Sequence, residues 1–234
     1  MNKILVLICL ISIGYTPVFS QTRPKEAWVF RSVLDKRARV ITVALNKELY
    51  VAYDGNNSGI FKIWKDGVNY SGTIWDTKHG PQPLSNGRSY TEGIVDEQVW
   101  FLSKNGIKIP SIVQFKGYVW KNNKVTFKYE IKADNQIAYV EETPEYIFKS
   151  LENLPGLERK IKITAPEGYD VYTTVKYNNL SKITDLITDG TLKMISKSEN
   201  YLDWATLFDI KANITLKNNA LTTISVYYSP KVIQ

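Results

Sequence analysis

The sequence predicts an all-β fold, a single-domain antiparallel β-sandwich, and three observations carry that prediction. Runs of alternating apolar and polar residues recur along the chain, as in VITVALN, VTFKYEIK and VYTTVKY. Turn signals built from Asn, Asp and Gly separate these runs roughly every eight to twelve residues, the spacing of sandwich strands. No segment shows the periodicity and caps of a long amphipathic helix.

The chain opens on a segment that reads as a secretory signal over residues 1–20, leaving residues 21–234 as the β-sandwich domain. Lys3 supplies the positive charge, Ile4 to Ile13 the apolar run, and Val18-Phe19-Ser20 a small-residue cleavage site before Gln21. That run is short for a membrane span, and no later run is long enough to cross a bilayer. The expected location is therefore periplasmic or extracellular, with no transmembrane anchor in the mature chain. The one cysteine, Cys9, falls inside the signal, so the exported domain is expected to rely on burial and hydrogen bonds without disulfides. The formal net charge is +7, but the lysines are interleaved with acids. That pattern describes a solvated surface and argues against nucleic acid as a partner.

In order along the domain, Trp28-Val29-Phe30 begins the first strand, which ends near Asp35. VITVALN and ELYVAYD follow, joined by a tight turn at Asn46-Lys47-Glu48. Asp54 to Gly59 (DGNNSG) is a loop, since these residues tolerate the positive φ of tight turns. GIFKIW is another strand, with Lys65-Asp66-Gly67 as its hairpin turn. VWFLSK turns at Asn105-Gly106 into IKIPSIVQFKGYVW, where Pro110 implies an edge position or a bulge. Lys121-Asn122-Asn123-Lys124 then separates that run from VTFKYEIK, and IAYVEETPEYIF follows. GLERKIKIT and VYTTVKY continue the alternation. SKITDLI reads either as a short helix or as a loop flanked by strands, and two or three strands end the chain. No short repeat and no Pro/Gly/Ser-rich linker divides the domain.

The stretch from Tyr50 to Tyr90 concentrates the candidate chemistry. It holds the only histidine, His79, in a Gly-Pro-Gln-Pro loop that fixes its backbone. An unperturbed histidine titrates near neutrality, so His79 is the candidate acid/base, with a carboxylate such as Asp76 or Glu92 assisting. Trp64, Tyr70, Trp75 and Tyr90 are candidate stacking platforms for sugar rings, whose C–H faces are apolar. Asp66, Gln82 and Arg88 are candidate hydrogen-bonding partners for hydroxyl groups, completing a pocket of broad apolar contact and few directional polar groups. Most aromatics on alternating strands are expected to fill the core instead.

Other chemistry finds less support. One histidine without cysteine makes no self-contained zinc site, and HExxH, CxxCH, G-x-S-x-G, P-loop and Rossmann patterns are absent. No metal and no cofactor is expected. Glu141, Glu142 and Glu145 form the densest acidic cluster, but neighbours on a strand point to opposite faces. They read as surface charge, and Glu158-Arg159 as an ion pair. Asn56, Asn69, Asn179 and Asn213 begin glycosylation sequons.

WVFRSVLDKRARVITVALNKELYVAYD, FKIWKDGVNYSG and HGPQPLSNG, then FKGYVWKNNKVTFKYEI and GLERKIKI, resemble a β-rich module of exported Bacteroidetes and planctomycete-type proteins. In those proteins the module lies beside c-type cytochrome, sugar-dehydrogenase-like or carbohydrate-active domains. The resemblance implies an exported sandwich tied to carbohydrate metabolism, akin to the supersandwich of sugar-processing enzymes. The resulting expectation is an accessory module binding a carbohydrate or glycoconjugate. The alternatives are a sugar-active lyase, hydrolase or epimerase using His79, and a structural module that docks a separate redox or carbohydrate-active partner protein.

Overall fold

A residue pattern of period two places every second side chain on one face of a strand, and burying that face requires a second layer. The computed structural model describes residues 28–69, 82–87, 89–93, 97–179, 186–202 and 205–228, and every regular element among them is a strand. The first part of the chain forms β1 (Trp28–Leu34), β2 (Arg37–Asn46), β3 (Leu49–Asp54), β4 (Ile60–Trp64), β5 (Val68–Asn69), β6 (Leu84–Ser85) and β7 (Ser89–Glu92). The middle forms β8 (Trp100–Lys104), β9 (Ile107–Ile109), β10 (Ile112–Lys121), β11 (Lys124–Ala133), β12 (Gln136–Lys149) and β13 (Leu154–Thr164). The last part forms β14 (Tyr169–Asn179), β15 (Leu186–Thr188), β16 (Thr191–Leu202), β17 (Ala205–Leu216) and β18 (Leu221–Tyr227).

These strands build three antiparallel sheets and a small ribbon. The first sheet runs β1-β2-β3-β4-β7, the second β10-β11-β12-β13-β18-β15, the third β16-β17-β14-β8-β9, and β5 pairs with β6 alone. Several connections are two-residue hairpins whose central residues both have positive φ: Asp35-Lys36, Asn105-Gly106, Asn122-Asn123 and Asp134-Asn135. That geometry matches the twist of the flanking strands, and Asn, Asp and Gly reach it at little steric cost.

One core joins all three sheets. Ile41, Val51 and Tyr53 come from the first, Phe127, Tyr129 and Ile161 from the second, and Trp100, Val171 and Ile214 from the third. β11 shows the alternation plainly: Val125, Phe127, Tyr129, Ile131 and Ala133 are buried while Lys124 and Lys128 face solvent. A second, smaller cluster covers the other face of the first sheet, with Leu34, Val40, Ala44, Tyr50, Ala52 and Trp64 packed against Trp28, Phe61 and Val68.

The structure departs from the sequence reading at two connections, and a third lies largely outside the described residues. Lys65-Asp66-Gly67 is not a hairpin turn, because β4 pairs with β3 and β7 while β5 leaves to pair with β6. IKIPSIVQFKGYVW is two strands in different sheets, and Pro110, which lacks an N–H to donate, occupies the crossing between them. Residues 181–185 of SKITDLI lie outside the described residues, and Leu186–Thr188 is strand β15.

The β5–β6 ribbon is fastened to the first sheet by Asp35, in the β1–β2 turn. Its backbone N–H donates to Pro83 O (3.1 Å), and its carboxylate accepts from Ser85 N, Ser85 Oγ and Lys62 Nζ at 2.8, 2.7 and 2.9 Å. Burial works against the carboxylate's charge, but the hydrogen bonds from Ser85 and Lys62 outweigh it and hold its pKa below the ordinary 3.8.

The centre of the main core is ionic. Arg159, on β13, donates through Nε and Nη2 to Glu142 Oε1 and Oε2 on β12, at 2.6 and 2.9 Å. Tyr53 Oη, from the first sheet, donates to Glu142 Oε1 at 2.8 Å. The guanidinium carbon lies 5.7 Å from the centre of the Trp100 ring, from the third sheet. Arg159 and Glu142 are 4% and 0% exposed, which overturns the reading of Glu142 as surface charge and of Glu158 as the partner of Arg159. Glu141 and Glu145 do face solvent and pair with Lys128, Lys124 and Lys160. Burial raises the Tyr53 phenol, and the neighbouring Glu142 charge raises it further.

Removing one member of this pair strands a charge in the core. Glu142→Ala is expected to lower unfolding free energy by about 3–5 kcal/mol, read from urea midpoints. The Glu142→Leu/Arg159→Met double variant is expected to recover most of that loss, since an apolar pair removes both charges together. The Asp35 tether has its own signature. A carboxylate with a depressed folded pKa contributes stability above its unfolded pKa, near 3.8. That contribution is lost as pH falls through the lower folded value. Asp35→Asn is therefore expected to lower Tm at pH 7 and to flatten the acid limb of the Tm profile; a limb identical to the wild type would refute the tether.

Candidate functional site

Of the predicted site residues, Trp64, Asp66, Gln82 and Tyr90 are among the described residues. Tyr70, Trp75, Asp76, His79 and Arg88 lie outside the described residues. Trp64 is fully buried: its ring stacks on Tyr50 (centroids 5.5 Å apart) and its Nε1 donates to Gly67 O at 2.6 Å. Trp64 therefore offers no face to a sugar, being packed in the cluster that Trp28, Phe61 and Val68 cover. Asp66 is exposed in the β4–β5 turn, with φ of 72°. Gln82 is half-buried just before β6.

The side chains that do converge lie at the edge of this region. A groove of about 590 Å³ is lined by Asn46, Lys47, Glu48, Lys65, Tyr90, Tyr146, Phe148, Asn153 and Pro155. Four pieces of chain supply it: the β2–β3 turn, the end of β4, strand β7, and the β12–β13 hairpin. Its size is within the range of small-ligand sites.

Each wall follows from local sequence. In EYIFK at the end of β12, Tyr146 and Phe148 are two residues apart, so both rings project from the same face of the strand. They stack at 6.5 Å with an interplanar angle of 21°, and Phe148 is 49% exposed. Pro144 lies earlier in β12 at a position beyond the ladder to β11, which ends at Phe127–Glu142, so its missing N–H leaves no gap there. Tyr90 and Pro155 are buried and form the floor, Tyr90 stacking on Tyr228 at 5.6 Å.

The polar rim is compact. Asn46 Oδ1 accepts from the Glu48 N–H at 3.2 Å, which shapes the β2–β3 turn. Glu48 carries the negative charge of the groove, with Lys65 Nζ at 3.7 Å and Lys47 Nζ at 4.0 Å. Burial raises the pKa of the Tyr146 phenol, and Glu48 raises it further. Tyr90 is likewise raised, first by burial and then by Glu48 and Asp66. Both phenols therefore remain O–H donors well into the alkaline range.

The groove combines a flat aromatic surface, amide and ammonium donors, and one carboxylate acceptor. Among the described residues no group of His, Cys, Asp and Glu has the arrangement of a metal site. Two other depressions, one of about 590 Å³ between Pro110 and Ile137 and one of about 380 Å³ beside Asp54 and Glu97, have no aromatic side chain in their walls. Sequence reading reached Tyr90 but not Tyr146, Phe148, Glu48 or Lys65; the one signal available for the stacked pair was the i, i+2 spacing in EYIFK. The sequence matches no known protein-family model and no curated protein.

Glu48 adds to the effect of burial on both phenols of the groove. In Glu48→Gln, the Tyr146 resonance in a ¹³C NMR pH titration is expected to shift to lower pH, staying above the ordinary 10.0 because burial persists. An unmoved titration would show that Glu48 does not face this ring.

Proposed function

We propose that this chain is an exported carbohydrate- or glycoconjugate-binding module, and that its ligand lies in the Tyr146–Phe148 groove. The observation that carries the reading is the stacked pair itself. Two nearly parallel, stacked rings on one strand face, one of them half exposed, offer the apolar surface that the C–H face of a pyranose needs. Asn46, Lys65, Asn153 and Glu48 surround that plane with donors and an acceptor, the groups that read hydroxyl positions. Glu48 is held between two lysines. Its carboxylate is an acceptor for ligand hydroxyls. The signal-like first twenty residues and the resemblance to modules beside carbohydrate-active domains agree with an accessory role.

The expected behaviour is measurable binding of oligosaccharides by calorimetry, after a glycan array has chosen the ligand. Phe148→Ala and Tyr146→Ala are each expected to weaken that binding about tenfold, equivalent to about 1.4 kcal/mol. Their Tm values should stay near the wild type for Phe148, which is exposed. An array and a saccharide calorimetry screen that both stay blank would end this reading.

A further inference from the structure

β10 is an edge of the second sheet: among the described residues it pairs with β11 alone. The strand is ten residues long, contains no proline, and carries Lys116 as its only charge before the terminal Lys121. Large apolar side chains are exposed along it, with Ile112 at 73%, Tyr118 at 41%, Val119 at 45% and Trp120 at 43%. A long apolar edge of this kind is a template for another strand.

The pairing with β11 fixes the face that each side chain takes, since residues directly opposite share a face. Val113, Phe115, Tyr118 and Trp120 stand opposite Ile131, Tyr129, Phe127 and Val125, which all belong to the main core. They carry that core out to the edge. Ile112, Gln114, Val119 and Lys121 stand opposite Lys132, Glu130, Thr126 and Lys124, on the outer face. Phe115 and Tyr118 are three positions apart yet share a face, because a bulge intervenes between Phe115 and Gly117, where Gly117 has φ of 120°. The order of inner and outer side chains is thus the same read from either end of β10.

We propose that β10 pairs antiparallel with β10 of a second copy of this chain, about a two-fold axis between Lys116 and Gly117. Phe115 of one copy then faces Tyr118 of the other, and Val113 faces Trp120, on the inner face. Gln114 faces Val119 and Ile112 faces Lys121 on the outer face. A regular foreign strand would lose register at the bulge, whereas in this arrangement each bulge meets its own counterpart. Such self-complementarity is what a two-fold interface requires. Charge agrees with it. Lys116, close to the axis, is already paired with Glu130 at 3.3 Å. Lys121 has no ion pair among the described residues, and it would lie opposite Ile112, which shares a depression with Glu97. The Glu97 side chain is 60% exposed and engages Lys211 through Oε2. This surface is independent of the carbohydrate groove, which is built from other residues.

The test is sedimentation velocity of the full chain over a concentration series, where a reversible dimer is expected. Trp120→Glu on the inner face and Val119→Lys on the outer are each expected to raise the dimer dissociation constant at least about tenfold. Both side chains are half exposed in one copy, so circular dichroism and Tm should stay near the wild type. Register is read by oxidation of paired cysteines, with the wild type, whose one cysteine is Cys9, as control. Gln114→Cys with Val119→Cys is expected to give a covalent dimer, and Gln114→Cys with Lys121→Cys is not. A monomer at every concentration, a dimer that neither charge substitution weakens, or equal cross-linking of the two cysteine pairs would each overturn the proposal.

Discussion

Glu142 and Arg159 meet where three sheets come together, and the cost of desolvating two charges shapes what surrounds them. Burying an ion pair is favourable only when its geometry is good and its remaining donors and acceptors are occupied. Neighbours from the other two sheets meet part of that demand: Tyr53 donates to Glu142 from the first sheet, and Trp100 lies beside the guanidinium from the third. The register of β12 against β13 is tied to the same need. Glu142 stands opposite Ile161, one step along from Thr143–Lys160, and a slip of one residue would turn either charge outward. An apolar core of equal volume would tolerate such slips with less penalty. The pair thus gives directional definition to layers whose other contacts are mainly non-directional.

Much of the architecture was legible because it depends on local chemistry. Strand alternation and left-handed turn residues are properties of a few neighbouring positions, so the all-β class and hairpins such as Asn122-Asn123 followed directly. Glu142 was not legible, since nothing in EETPE distinguishes a solvated carboxylate from one facing a buried arginine seventeen positions on. Lys65–Gly67 misled for a similar reason. A turn signal marks a change of direction but does not say which strand will be the partner. The groove depends on four segments far apart in sequence, of which only Tyr90 carried an early signal.

Trp64 illustrates how one sheet can be aromatic on both faces. Tyr53 and Ile63 serve the main core, while Tyr50 and Trp64 serve the smaller one under the β5–β6 ribbon. The ribbon is short, and it is secured mainly at points: Gly67 O on the Trp64 indole, and Pro83 and Ser85 on Asp35. Among the described residues, the aromatics of the stretch from Tyr50 to Tyr90 thus fill two layers from one length of chain. The groove occupies the border of that stretch, where Lys65 and Tyr90 meet the β12–β13 hairpin.

Strand order in the second sheet has a consequence for how the molecule assembles. β10 to β13 are consecutive and join through short hairpins, so they can pair as soon as they exist. β13 then pairs with β18, where Leu157 meets Val226, and β18 also separates β13 from β15. Until that last strand arrives, β13 is an open edge flanked by apolar residues, a template for any extended segment nearby. Closing so distant a contact is entropically slow. Docking of β18 therefore covers the β13 edge and at the same time provides the only ladder for β15, so one strand closes two otherwise open edges.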